Sequence, residues 1–76
     1  MKAPNKLVTV ATFQTVTEAS VAKGALEAAG IHAVVPSELS VVGLNRAEAQ
    51  MMWAELHVRA IDRDRATELL RQAGHE

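Results

Sequence analysis

The sequence predicts a single α+β domain with the order β-α-β-loop-β-α, and three observations carry that prediction. Residues 53–61, WAELHVRAI, alternate strictly: Ala54, Leu56, Val58 and Ala60 point one way, and Trp53, Glu55, His57 and Arg59 the other. Period two over that length marks a strand with one buried face. Two other stretches carry apolar residues at helical spacing, and each ends at a glycine, Gly30 or Gly74. The first of them is flanked by two short runs rich in β-branched residues.

Residues 7–13, LVTVATF, form the first predicted strand. Val8 and Val10 are expected to face the core, yet Leu7, Ala11 and Phe13 are also apolar, so both sides of this strand read as partly buried. Residues 1–6 form a polar, flexible lead that is neither a signal peptide nor a membrane span. Thr15-Val16-Thr17-Glu18 then fits a capping box, in which the Thr15 hydroxyl takes a free N–H of the first turn and Glu18 reaches back. Ala19, Ala22, Leu26 and Ala29 follow as the buried stripe, with Lys23 and Glu27 on the outer side. Gly30 stands where a left-handed residue ends a helix, and Ile31 is placed to fold back on Leu26. Val21, Gly24, Ala25 and Ala28 make a thin surface, suited to close packing against the second helix or, more rarely, a partner helix.

Residues 31–35 form the second strand, stopped by Pro36. A right-handed crossover makes it parallel to the first. Residues 37–52 then connect it to the middle strand, a long connection for so small a domain, and long connections tend to carry function. Within it Asn45 and Glu48 form a second capping box, which predicts a short helical turn over about 46–51. After the middle strand Asp62 is expected to cap the last helix. Ala66, Leu69, Leu70 and Ala73 face inward there, with Asp64 near the positive end and Arg71 near the negative end. Inserting an antiparallel strand between the parallel pair yields sheet order 1-3-2 with both helices on one face. That is a ferredoxin-like βαββα half-sandwich lacking its fourth strand.

Composition narrows the function. The 76 residues include no cysteine, which removes disulfides, thiolate metal sites and cysteine nucleophiles and suits a reducing cytoplasm. A formal charge of −1 supplies no basic field for nucleic acid. The chain is 49% apolar but holds one Phe, one Trp and no Tyr, and much of the remainder is alanine. A core of that kind buries little area per residue, so self-association is expected. The first strand is also a free sheet edge with no proline, and no charge beyond Lys6, to protect it.

Catalytic motifs are missing. There is no Gly-rich phosphate loop, Walker motif or Gly-x-Ser-x-Gly elbow. His32 and His57 would neighbour each other across two strands with Glu55 near, a conceivable zinc set, but polar residues on an open sheet face explain them better. His75 reads as a frayed end. Glu55 and His57 also resemble an acid and a base, although alternate positions on an open strand offer no pocket to shift their pKa values. Trp53 is one aromatic where RNA-binding sheets of this general shape use several, so it is read as an anchor at the loop base or in an interface. No metal, cofactor or catalytic residue is expected.

The stretches LVTVATF, Glu18-Ala19, AKGALEAAGI at 22–31, LHV at 56–58 and ATELL at 66–70 resemble a bacterial family of unknown function. It is described as "putative prokaryotic signal-transducing proteins" and is distantly similar to the PII nitrogen regulators. The resemblance implies a ferredoxin-like core and a regulatory, non-catalytic role, and PII proteins signal through a long loop corresponding to residues 37–52. Where the family carries a Gly-Gly pair before the middle strand, this sequence has Met52 and Trp53. The combined expectation is a small cytoplasmic binding domain with Ser37, Glu38, Asn45, Arg46, Trp53, Glu55 and His57 as its candidate surface. Its effector would be a protein or a small molecule. The rival is a homo-oligomerising module with no small ligand.

Overall fold

The computed structural model describes residues 6–40, 43–45, 47–48 and 52–74. Three strands, β1 (Leu7–Phe13), β2 (Ala33–Val34) and β3 (Ala54–Arg59), form one sheet in the order β1-β3-β2. Both outer strands run antiparallel to β3. Helices α1 (Val16–Ala28) and α3 (Arg63–Gln72) cover one face, a short α2 (Ser37–Ser40) follows β2, and a 3-10 turn, Ala60–Asp62, leads into α3. This is the predicted α+β half-sandwich.

The core forms where the alternation of β3 meets the two helix stripes. Ala54, Leu56 and Val58 are closed from solvent, as are Ala19, Ala22 and Leu26 of α1 and Ala66 and Leu70 of α3. Five of the twelve fully buried apolar residues are alanines, so the layers approach closely but bury little area. Ala29 and Leu69, expected inside, are half-buried, and Ala73 is exposed.

β1 resolves its own ambiguity with a β-bulge. Val8 pairs with Val58, Ala11 with Leu56 and Phe13 with Ala54, and the register slips between Thr9 and Ala11. One extra residue flips the alternation. Val8 and Val10 therefore face inward before the slip, and Ala11 and Phe13 after it; all four pack on the core. The outer side holds Leu7, Thr9 and Thr12, all exposed, so the strand is not buried on both sides.

Local signals set the ends of α1. Glu18 N–H donates to Thr15 Oγ1 at 3.1 Å, and the Thr15 hydroxyl in turn donates to the Glu18 carboxylate at 3.3 Å. At the other end Ile31 N–H reaches Leu26 O and Gly30 N–H reaches Glu27 O, both at 3.0 Å, with Gly30 at φ 86°. Those two bonds are the Schellman ending, and Ile31 and Leu26 are both buried. Arg65 of α3 adds a cation there, its Nη2 donating to Ala29 O at 2.9 Å.

Four details depart from the sequence reading. β3 stops at Arg59, because β1 begins at Leu7 opposite it and the last bond between the two strands is Ala60 N–H to Lys6 O. Ile61 is consequently 71% exposed. Asp62 makes no capping bond; its carboxylate turns back to Arg59 at 3.4 Å. β2 spans only two residues, although Ile31, Ala33 and Val35 keep the inward alternation. The thin surface on α1 does not pack against α3. Val21, Gly24, Ala25 and Ala28 all face solvent, and a Cβ at Gly24 would meet nothing within 4 Å.

Candidate functional site

The outer sheet face gathers part of the candidate surface. Cross-strand register sets Thr9 opposite His57 and Thr12 opposite Glu55. His57 Nε2 lies 2.9 Å from Glu55 Oε1, and the Thr9 hydroxyl donates to the same oxygen at 3.4 Å. The imidazole beside it holds the Glu55 carboxyl below its usual range, chiefly through that hydrogen bond, with a smaller contribution from Thr9. Glu55 is open to water, its side chain 58% exposed, while His57 is mostly covered. The Thr9 hydroxyl and the imidazole thus share one oxygen of the Glu55 carboxylate.

His32 does not join this group. Val34 stands opposite His57, and continuing that register by two residues brings His32 level with Arg59. Among the described residues no three of His, Asp and Glu converge in a way that would hold a metal ion.

The base of the 37–52 connection is the second part of the surface, and it is tied down by polar contacts. Ser37 Oγ donates to the Trp53 carbonyl at 3.3 Å, joining the first residue of the connection to the residue just beyond its end. Glu38 spends both carboxylate oxygens on α1: Ser20 Oγ donates to Oε2 at 2.6 Å and Lys23 Nζ to Oε1 at 2.9 Å. Those partners hold the Glu38 carboxyl below its ordinary range, through the Ser20 hydrogen bond first and then the hydrogen bond and charge of Lys23, and Glu38 in turn raises the Lys23 ammonium. Ser37 and Glu38 are therefore anchors of the connection rather than free contact groups.

Trp53 stands at the base of the connection: its carbonyl takes the Ser37 bond while its indole is 66% exposed. Leu39, on α2, is 82% exposed, and Leu44 is exposed as well. Further along, Asn45 N–H donates to Glu48 Oε1 at 3.1 Å and Glu48 N–H to Asn45 Oδ1 at 2.8 Å. This is the reciprocal capping box expected there, with Ala47 and Glu48 helical. Arg46 and His75 lie outside the described residues. Met52 is half-buried on the core. No residue other than glycine has a positive φ among those described, so Met52 and Trp53 enter β3 without the conformation a glycine pair would permit.

Sequence reasoning missed three participants: Ser20, Lys23 and Thr9. Ser20 and Lys23 stand three apart on α1 and so share a face, a spacing visible in the sequence. Their partner Glu38 lies 15 residues beyond Lys23, and only the return of the chain past β2 brings it there.

Compared with known proteins, residues 7–74 match the family described as putative prokaryotic signal transducing protein. Among curated proteins and among solved structures, nothing matches the chain. No helix among the described residues is long and apolar enough to cross a membrane.

Proposed function

The chain belongs to this family of putative prokaryotic signal transducing proteins, and from that premise we propose that it is a small, non-enzymatic regulatory domain. It acts through residues 37–52 in the manner of a PII-like loop, in the cytoplasm. The observation that carries the reading is the exposed pair at the base of that connection. Leu39 is 82% exposed and Trp53 66%, and both flank the contacts that tie Ser37 and Glu38 to the body. Two large apolar side chains offered to water from a fastened segment make a contact surface for an effector. The water-exposed setting of Glu55 fits binding better than acid–base chemistry.

A thermal-shift screen of nucleotides, 2-oxoacids, amino acids and divalent metals tests the reading, since a specific ligand raises apparent stability by mass action. The hit should change Trp53 emission and slow amide exchange at the described positions of the connection while β3 changes little. Replacing residues 39–50 with a short Gly-containing turn should leave a folded domain that no longer responds. A response that survives the replacement would remove the connection from the function.

One observation favours a second reading, a self-associating module. β1 is an outer strand of seven residues with no charge among them. Its open edge invites pairing with a second copy, although the bulge after Thr9 twists that edge. Light scattering at micromolar concentration should then give a dimer or larger, and a folded monomer across that range would discard this reading.

A further inference from the structure

We propose that Glu38 is a strap: its hold on Ser20 and Lys23 keeps α2 and the start of the β2–β3 connection against α1, and loosening that hold frees the connection without unfolding the domain. Glu38 engages both carboxylate oxygens, at 2.6 Å with Ser20 Oγ and 2.9 Å with Lys23 Nζ. Both bonds are partly shielded, with the Lys23 and Glu38 side chains 28% and 34% exposed. Charge-assisted bonds of this kind are shorter and stronger than neutral ones.

Among the described residues, the other side-chain bond that holds α2 is Ser37 Oγ to the Trp53 carbonyl at 3.3 Å. α2 has four residues, too few for a helix that stands without tertiary support. Its entry from β2 is closed by Glu38 N–H to Val35 O at 3.0 Å and Leu39 N–H to Pro36 O at 3.2 Å. Leu39 lies out in solvent and contributes no burial. α1, in contrast, is fastened to the core through Ala19 and Ala22, which immediately precede Ser20 and Lys23. The strap therefore joins a rigid element to one that has no apolar anchor of its own.

Its electrostatics agree with the geometry. Ser20 and then Lys23 lower the Glu38 carboxyl, while Glu38 and, more weakly, Glu27 raise the Lys23 ammonium. The pair stays ionised and closed at neutral pH, and ionic strength, not physiological pH, is what weakens it. The regulatory consequence rests on the reading that the connection is the working segment: a closed strap presents Leu39 and Trp53 in one arrangement, and an open one releases them.

Amide exchange in the absence of any effector tests the strap. In Glu38→Gln and in Lys23→Met, exchange at Glu38 or its replacement and at Leu39 should quicken roughly fivefold, with Leu56 and Val58 unchanged. Raising salt should quicken the same amides in the unaltered protein and have little further effect in Lys23→Met. Should Glu38→Gln fail to fold, Lys23→Met and the salt titration decide alone. Unchanged exchange at Leu39, or an equal rise at Leu56 and Val58, overturns the proposal. Because no effector is present, the strap can stand while the loop-binding reading fails, and the 39–50 replacement tests that reading by the effector response and not by exchange at Leu39.

Discussion

Leu56 and Val58, at the centre of β3, are completely closed from solvent, whereas Leu39 of α2 is 82% exposed and its neighbour Glu38 is held by a hydroxyl and an ammonium. The two regions are secured by different physics. Burial in β3 is non-directional, shared among many neighbours, and not weakened by ionic screening. The contacts at α2 are few, directional and partly wet, so they weaken with ionic strength and fail locally. A domain with an alanine-rich core has little apolar area to distribute, and here it is shared between the inner face of the sheet and the facing sides of α1 and α3. At the start of the connection, the contacts of Ser37 and Glu38 are polar.

The sharpest way to break this contrast is at β3. Leu56→Ala should destabilise the whole domain by about 2–5 kcal/mol, because alanine-lined surroundings cannot collapse into the void. Urea denaturation would show a lower midpoint with an unchanged slope. A loss under ~1 kcal/mol would mean that the core is not organised around this strand.

A smaller effect of opposite sign is expected on the outer face of α1. Gly24→Ala should stabilise by up to roughly 1 kcal/mol, since the added methyl meets nothing and the position is a helix interior. Thermal denaturation checks it, and a destabilisation would show that this face is covered in solution by a second copy or another partner.

The smallest effect concerns Glu55. Its folded carboxyl lies below the unfolded value, so whatever stability it adds is present above the unfolded pKa and is lost as pH falls through the folded one. His57→Gln should raise the Glu55 titration midpoint, followed by carbon-detected NMR, toward the ordinary carboxylate range. An unmoved midpoint would separate the two side chains in solution.

Much of the frame was legible in the chain, and the legible parts share one property. Thr15 with Glu18, Asn45 with Glu48, and Gly30 with Ile31 and Leu26 act over three to five residues. The alternation that buries Ala54, Leu56 and Val58 is likewise a property of consecutive positions. The candidate site was legible only in outline. Glu55 and His57 do meet, as neighbours on one strand face, but the β2–β3 register, continued to His32, sets it level with Arg59, two residues along from His57. Ser37 and Glu38, selected as contact residues, bond the Trp53 carbonyl and the Ser20 and Lys23 side chains, partners that no local spacing revealed.

Composition and short-range spacing thus determined the three strands, the two long helices, the ends of α1 and the inner face of β3, but not α2 or the ends of β2 and β3; caps, Schellman endings and strand alternation depend on residues a few positions apart. Tertiary structure alone decided the bulge that lets Val10 and Ala11 both face inward. It also decided that the Gly24 surface meets solvent instead of α3, and that Glu38 binds Ser20 and Lys23. Each of those depends on where a distant segment comes to rest: a register against β3, the angle at which α3 crosses, the return of the chain past β2. No local pattern encodes such positions, since they follow from how the layers pack together.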